Sequence, residues 1–432
     1  MSLREEAVGL LQRLIRLNTV NPPGNETIAA QALRDYLASH GVACELYARS
    51  PERANLVARI PGGDGPSLAF LSHTDTVVAD PAEWARDPWS GDLVDEHVWG
   101  RGALDMKNQV AASAVAFASL AREGFRPPGD LVFVAAADEE VGKSFGLEWL
   151  CEEHPDAVRV DYAVNEGGGE RVELGGSPYY LCASAEKMTA PFRLRVQGRS
   201  GHASMPGIAD NALVKAAPLI EALGAYRPEP EVGPEVEAFL TAVLGERPAP
   251  KDVLDRLRAL DPLAVELIEP LLSLTLSPTI ISASERRNVI PAVCDVTVDC
   301  RLLPGTTPED IEPVIRGVLA ATGVGDGEYE LEFLERWGGT RSSMATPLWQ
   351  AIEHWVGAVE PGATVAPVCC AGFTDSHWLR DAFGTVAYGF FPMRAMDPEL
   401  AARLIHSADE RVHVDDLELG VEFLRSLARS LA

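Results

Sequence analysis

The sequence predicts an α/β protein in which a mostly parallel sheet flanked by helices carries an inserted, smaller α+β domain. Three observations point there. In the first part of the chain, short apolar runs of strand length alternate with longer segments of helical period. From about residue 189 the pattern switches to strict alternation of polar and apolar residues, the mark of half-buried strands. Finally, 432 residues are too many for one ordinary hydrophobic core, so two domains are expected.

The opening MSLREEAVGLLQRLIRL sets Glu5 and Glu6 ahead of apolar residues at helical spacing, which predicts an amphipathic surface helix rather than a signal peptide. Residues 68–71 (LAFL), 131–137 (LVFVAAA) and 160–164 (VDYAV) predict buried strands, and 106–123 and 145–153 predict helices. Phe192, Leu194 and Val196 then alternate with polar residues, and a helix follows over 211–223. A second alternating stretch at 293–301, a helix at 308–321 and a strand at 329–334 complete the inserted α+β domain. The Pro- and Glu-rich stretch 226–276 is expected to be a mainly helical insertion within it. The expected boundaries are 1–187 for the first part of the large domain, 188–337 for the insert and 338–432 for the second part, with a further strand at 385–390.

Hydrophobic residues at 47% and charged residues at 23% are ordinary for a folded soluble protein. No run approaches the ~20 apolar residues of a membrane helix, so no membrane partner is expected. Seven cysteines, scattered and without a C-x-x-C pair, predict cytoplasmic residence. Cys369 and Cys370 lie in an apolar stretch, which predicts burial. Lys plus Arg number 37 and Asp plus Glu 64, giving a net charge of −27. A field of that sign repels phosphate backbones and argues against a nucleic-acid partner. Solubility and salt adaptation account for most of the acids, and an anionic substrate would need local cationic groups.

Chemistry enters where the acids and histidines fall. LAFL runs into Ser72-His73-Thr74-Asp75, LVFVAAA into Asp138-Glu139-Glu140, and VDYAV into Asn165-Glu166-Gly167. Each of these acids alone could be a solvated loop residue. Together they deliver metal-capable side chains at the C-terminal ends of three buried strands, the edge where ligands bind in open α/β sheets. In GRGALDMK, two glycines and an alanine allow tight backbone passage before Asp105, which is either a helix N-cap or a ligand. His406, in HSADERV, adds a second histidine. No H-E-x-x-H motif or cysteine set is present. A mixed imidazole and carboxylate set nevertheless suits a catalytic zinc pair. Two Zn2+ against Asp105, Glu140, Glu166 and one hydroxide give a neutral centre. A further ligating carboxylate would weaken the Lewis acids, which leaves Glu139 free as a base.

In order along the chain, TVNPPGNE (residues 19–26), SHTD, GRGALDMK, the Asp138-Glu139-Glu140 triplet, NEGG, GRSGHAS and HSADERV resemble the zinc aminoacylase/carboxypeptidase family. That family includes aminoacylase, carboxypeptidase S, glutamate carboxypeptidase and succinyl-diaminopimelate desuccinylase. The resemblance spans nearly the whole chain, and Glu186-Lys187 with the helical insertion is most similar to the carboxypeptidase S and aminoacylase branch. It implies a zinc exopeptidase-like catalytic domain and an insert that serves as lid and dimerisation domain. It also implies two Zn2+ per chain, with Co2+ or Mn2+ as substitutes: His73 and Glu166 on one ion, Glu140 and His406 on the other, Asp105 bridging. Asp75 would orient His73, and Glu139 would activate the attacking water and pass its proton to the leaving nitrogen. The Asp105–Met106 peptide bond is expected to be cis.

By spacing alone, His202 in GRSGHAS is either a surface histidine in a turn or a site residue. Ser200 nearby lacks the G-x-S-x-G elbow of a serine hydrolase. The resemblance makes His202 a catalytic candidate that steadies the oxyanion, commonly from a partner subunit, and so implies a homodimer. Asn288, Arg301, Gly372 and Thr374 resemble substrate-contacting positions. Arg301 suits a bidentate pair with a carboxylate, with a strand-end surface arginine as the alternative. Two departures bear on the substrate pocket. Asn108 and Gln109 replace the usual glycines, and His377 follows Gly-Phe-Thr-Asp-Ser where an arginine is common, with Arg380 one turn on as a substitute. The expected activity is hydrolysis of short peptides or N-acyl amino acids. The alternatives are a narrow-specificity biosynthetic deacylase of acetyl- or succinyl-amino acids, or an inactive metal-binding relative, against which the intact Glu139 speaks.

Overall fold

A computed structural model describes residues 2–142, 144–335 and 337–431. The chain divides into two compact units, one made of 1–184, 342–370 and 374–432, the other of 185–341 with 371–373. The larger unit is built on a sheet in the spatial order Cys44–Ala48, Ala54–Ile60, Leu131–Ala136, Leu68–His73, Tyr162–Asn165, Val386–Gly389, Ser177–Glu186 and Thr364–Cys370, with Arg171–Leu174 pairing Ser177–Glu186. Its centre is parallel: Leu68–His73 pairs in parallel with Leu131–Ala136 and Tyr162–Asn165, and the latter with Val386–Gly389. Antiparallel pairs close the margins.

Side-chain alternation explains why these strands read as unbroken apolar runs. Leu68, Phe70, Leu131 and Phe133 face one core, shared with helices Leu3–Ile15, Lys107–Arg122 and Val414–Ser430. Ala69, Leu71, Val132 and Val134 face the other, with Leu147, Leu150 and Leu379 from helices Leu147–Glu153 and Ser376–Phe383. A sheet covered on both faces needs apolar side chains at every position. Full burial of each large one contributes about 1.5–3 kcal/mol. The N-terminal helix lays Leu10, Leu11, Leu14 and Ile15 into the first core.

The smaller unit has an antiparallel sheet in which Val293–Leu302 pairs with Phe192–Gln197 on one side and Thr275–Ser282 on the other. Tyr329–Phe333 extends it beyond Phe192–Gln197. Helices Ala212–Ala225 and Pro308–Ala320 contribute Leu219, Leu223, Ile315 and Leu319 to its core. The expected helical insertion contains Pro234–Leu244, Val253–Leu260 and Pro262–Ile268. Buried Lys187 ties it down, donating to the carbonyls of Pro270 and Ser273 at 2.8 and 2.9 Å.

Some local expectations shift. The helix expected from 145 begins at Leu147, because Gly146 at its N-cap adopts φ −98° and ψ −136°, outside the helical region. The strand expected over 160–164 is Tyr162–Asn165. Strand Thr275–Ser282 was not anticipated. It carries Pro278 with a bulge beside it, tolerable on an edge strand. Cys369 and Cys370 lie on Thr364–Cys370, Cys369 buried and Cys370 partly so.

Candidate metal centre

Several of the acids and histidines singled out in the sequence converge in the larger unit. His73 ends strand Leu68–His73, Glu139 and Glu140 follow Leu131–Ala136, and Glu166 follows Tyr162–Asn165. These strands are neighbours in the sheet, so their C-terminal ends open at one edge. Gly167 and Gly169, at φ +100° and +114°, turn the chain away after Glu166. A Cβ on Gly169 would stand 2.0 Å from the Phe391 carbonyl oxygen, so only glycine fits there.

Asp105 meets both histidines. Its Oδ1 lies 3.2 Å from His73 Nε2 and its Oδ2 lies 2.9 Å from His406 Nε2. The N-cap of helix Lys107–Arg122 is Met106, and it makes no side-chain capping bond. The Asp105 carboxylate therefore faces the histidines and does not cap the helix. The Asp105–Met106 bond is cis, as the resemblance implied. Glu166 Oε1 stands 3.5 Å from His73 Nε2, and Glu140 Oε2 stands 3.2 Å from His406 Nε2. Glu139 Oε2 is farther off, 3.8 Å from His73 Nε2.

These spacings fit metal coordination. A tetrahedral ion with bonds of about 2.0 Å sets its ligand atoms roughly 3.3 Å apart. Two groups, His73 with Glu139 and Glu166, and His73 with Asp105 and Glu140, have ligand atoms all within 4.8 Å of one another. The donors are nitrogen and oxygen, the set that zinc and similar divalent ions accept. The electrostatics of the cluster favour a bound positive charge. Burial, then the charge of Glu166, pushes Glu139 well above the ordinary carboxylate range. Burial, with Asp105 and Glu140 nearby, pushes Glu166 up to about 7. The hydrogen bonds to Asp105 and Glu140 push His406 up to about 10. Burial opposes the charge on His73, but Glu166, Asp105 and Asp75 outweigh it and hold the imidazole protonated well above its usual range.

Asp75 is buried behind His73. Its Oδ1 is 3.4 Å from His73 Nδ1 and accepts the Glu139 N–H at 3.2 Å. Its Oδ2 accepts the Glu140 N–H at 3.1 Å and Asn21 Nδ2 at 2.9 Å. One carboxylate thus anchors the loop that carries Glu139 and Glu140 as well as facing the imidazole. Asn21 also donates to Asp138 Oδ1 (2.9 Å), which takes a second bond from Arg53 Nη2 (2.9 Å). Arg53 in turn makes a two-pronged pair with Glu26 at 2.6 and 2.7 Å. Asp138 and His406 adopt φ of +65° and +59°, uncommon for non-glycine residues and costing about 1–3 kcal/mol each. Asn21 and Glu26 belong to a segment the sequence had flagged. Arg53 carried no local signal, because its partners lie 27 and 85 residues away.

The remaining candidates divide between the units. In the smaller unit, His202 is exposed on the short strand Gly201–His202, which pairs with Val289–Ile290, and its Nδ1 lies 2.7 Å from Ser204 Oγ. Asn288 is next to it, its carbonyl accepting the Ala203 N–H at 3.0 Å. Half-buried Arg301 donates to Asp299 Oδ1 at 3.0 Å. Gly372 also groups with this unit. In the larger unit, buried Thr374 precedes helix Ser376–Phe383 and lies beside Gly167, next to Glu166. Arg380 is buried, donating to Ser342 Oγ (3.0 Å) and the Ala387 carbonyl (2.5 Å) as an internal strut.

Comparison with known proteins agrees with this geometry. Residues 69–430 match the family model described as peptidase family M20/M25/M40. Aminoacylase-1 of Sus scrofa is 26% identical over 435 residues, covering 99% of this chain and 95% of that protein. Succinyl-diaminopimelate desuccinylase of Rhodospirillum centenum is 29% identical over 429 residues, covering 95% and 94%. The fold matches that of an M20 family metallo-carboxypeptidase from Sulfolobus solfataricus with a TM-score of 0.75 at 17% identity, covering 99% of each chain. The chain belongs to peptidase family M20/M25/M40, and it is a metal-dependent hydrolase of amide bonds.

Proposed function

We propose that this chain is a dinuclear zinc amidohydrolase that cleaves short peptides or N-acyl amino acids, with Glu139 as the general base. The observation that carries the reading is the Asp105 carboxylate, whose two oxygens face two different histidines at 3.2 and 2.9 Å. His73 and Glu166 would hold one ion, Glu140 and His406 the other, and Asp105 both. Co2+ or Mn2+ would substitute. When bound, the ions would lower the pKa of water towards ~7 and polarise the scissile carbonyl.

Glu139 is partly buried beside the proposed ligands, with its carboxylate farther from His73 than that of Glu166, and its backbone N–H is fixed by Asp75. It takes a proton from the attacking water and delivers it to the leaving nitrogen. Asp75 orients His73 and anchors the base. His202 would steady the oxyanion, while Asn288, Arg301, Gly372 and Thr374 would contact the substrate, Arg301 releasing Asp299 to bind a carboxylate. Cytoplasmic residence is in keeping with seven free cysteines. No helix among the described residues is long and apolar enough to cross a membrane.

A narrow deacylase is the second reading, favoured by two relatives whose names denote removal of an acyl group from an amino acid. A panel of dipeptides against N-acetyl and N-succinyl amino acids separates the two. Glu139→Gln should lower kcat by ~10²–10⁴-fold while bound metal stays at the wild-type level. Retained turnover would overturn the role given to Glu139.

The acting form is proposed to be a homodimer. Thr275–Ser282 pairs on one side only among the described residues and exposes Ile280 and Ile281. Helix Ala212–Ala225, which packs against that strand, exposes Leu213 and Val214. An unpaired edge with an apolar flank suits a second copy of the same surface.

A further inference from the structure

Glu410 lies four residues after His406, and no role in the chemistry above falls to it. It is 0% exposed, and both of its carboxylate oxygens are engaged. Oε2 accepts Arg101 Nη1 at 2.7 Å and the Gly102 N–H at 3.2 Å. Oε1 accepts the Leu104 N–H at 2.6 Å and the Asp105 N–H at 3.0 Å. Its own carbonyl accepts the Gly100 N–H at 2.9 Å. One residue thus gathers four N–H groups of the turn, those of Gly100, Gly102, Leu104 and Asp105. On either side, strand Arg411–His413 pairs with His97–Trp99, which brings the two loops together but stops short of both ligands.

We propose that Glu410 is a positioning residue that locks the Asp105 loop to the His406 loop, so that the two ligands meet at the spacing a shared metal needs. This rests on the dinuclear reading above. His406 needs such a device, because its side chain is 52% exposed and its backbone adopts the left-handed conformation. Asp105, for its part, follows a glycine-bearing turn whose last two N–H groups, those of Leu104 and Asp105, both end on Glu410. A charged acceptor for several backbone N–H groups sets both position and orientation, since each such bond is directional and charge-assisted. Arg101 completes the arrangement, its guanidinium lying over the Trp84 ring at 5.2 Å while it neutralises the buried carboxylate.

The test is zinc titration of the metal-free full-length chain against a chromophoric chelator, for wild type, Glu410→Gln and Glu6→Gln. Glu6→Gln removes another buried carboxylate–arginine pair, with Arg122, and serves as the control for general destabilisation. Glu410→Gln should weaken zinc binding about 10–100-fold, and excess zinc should restore kcat with KM unchanged. Glu6→Gln should lower the melting temperature and leave zinc affinity alone. Should Glu410→Gln fail to fold, Glu410→Asp keeps the charge, shortens the reach and should show a smaller loss of zinc affinity. Wild-type zinc affinity in the Glu410 variant that folds would overturn the proposal. Fewer than two zinc ions on the wild type would instead overturn the dinuclear reading beneath it.

Discussion

Asp75 illustrates how much one side chain sets. Its carboxylate faces His73 and accepts the N–H groups of Glu139 and Glu140, so it touches a proposed ligand and holds the backbone of the proposed base. Asp75→Asn keeps the shape but removes the charge and turns an amide donor towards backbone donors. It should weaken metal binding ~10–100-fold, measured by chelator competition, and lower kcat as well. Wild-type affinity in that variant would contradict the role. At this scale much was legible. His73, Asp105, Glu139, Glu140, Glu166 and His406 each end a strand or sit in a short distinctive segment, so local sequence marks them. Among the supports behind them, Glu26 and Asp138 fall in segments the sequence marks, but Arg53, which joins the two, does not, because its partners lie 27 and 85 residues away.

Helices Leu3–Ile15, Lys107–Arg122 and Thr27–Ser39 are joined by a polar contact set centred on Glu6. Glu6 accepts Arg122 at 2.7 and 2.9 Å and Tyr36 Oη at 2.5 Å. Burial alone would raise the Glu6 carboxyl, but the bonds from Arg122 and Tyr36 outweigh it and hold the group below its ordinary 4.5. A depressed carboxyl pKa stabilises the fold above the ordinary value and stops doing so as pH falls through the depressed one. Glu6→Gln should therefore be less stable than wild type by roughly 1–3 kcal/mol at pH 7. That gap should close on acidification below about 4.5, as read from urea midpoints across pH. A gap independent of pH would contradict the assignment. Element type followed periodicity closely: the helix expected at 308–321 is Pro308–Ala320 and the strand at 293–301 is Val293–Leu302. Thr275–Ser282 escaped notice because Pro278 interrupts it and its outer face carries isoleucines where an exposed strand would show polar residues. Ser177–Glu186 and Thr364–Cys370 carry no catalytic segment to draw attention to them.

Across the whole molecule, a charge of −27 keeps copies apart at long range, so association needs a local apolar contact to succeed. The exposed Ile280 and Ile281 offer one. The double substitution Ile280→Glu and Ile281→Glu should convert the proposed dimer to a monomer in light scattering, and should lower turnover if His202 acts across the interface. A wild-type chain that is monomeric at micromolar concentration would contradict the proposal. Removing metal should matter to stability as well as activity. Ligands whose charges repel one another gain most from bound cations, so chelation should lower the melting temperature and zinc should restore it. The central claim is that Asp105 joins two metal positions, with Glu139 left free beside them. The most direct test is the zinc bound per chain at saturation, by plasma emission spectroscopy on wild type and Glu139→Gln. The account predicts about two ions on each, with turnover only in the wild type. Full wild-type activity at a single ion per chain would contradict it.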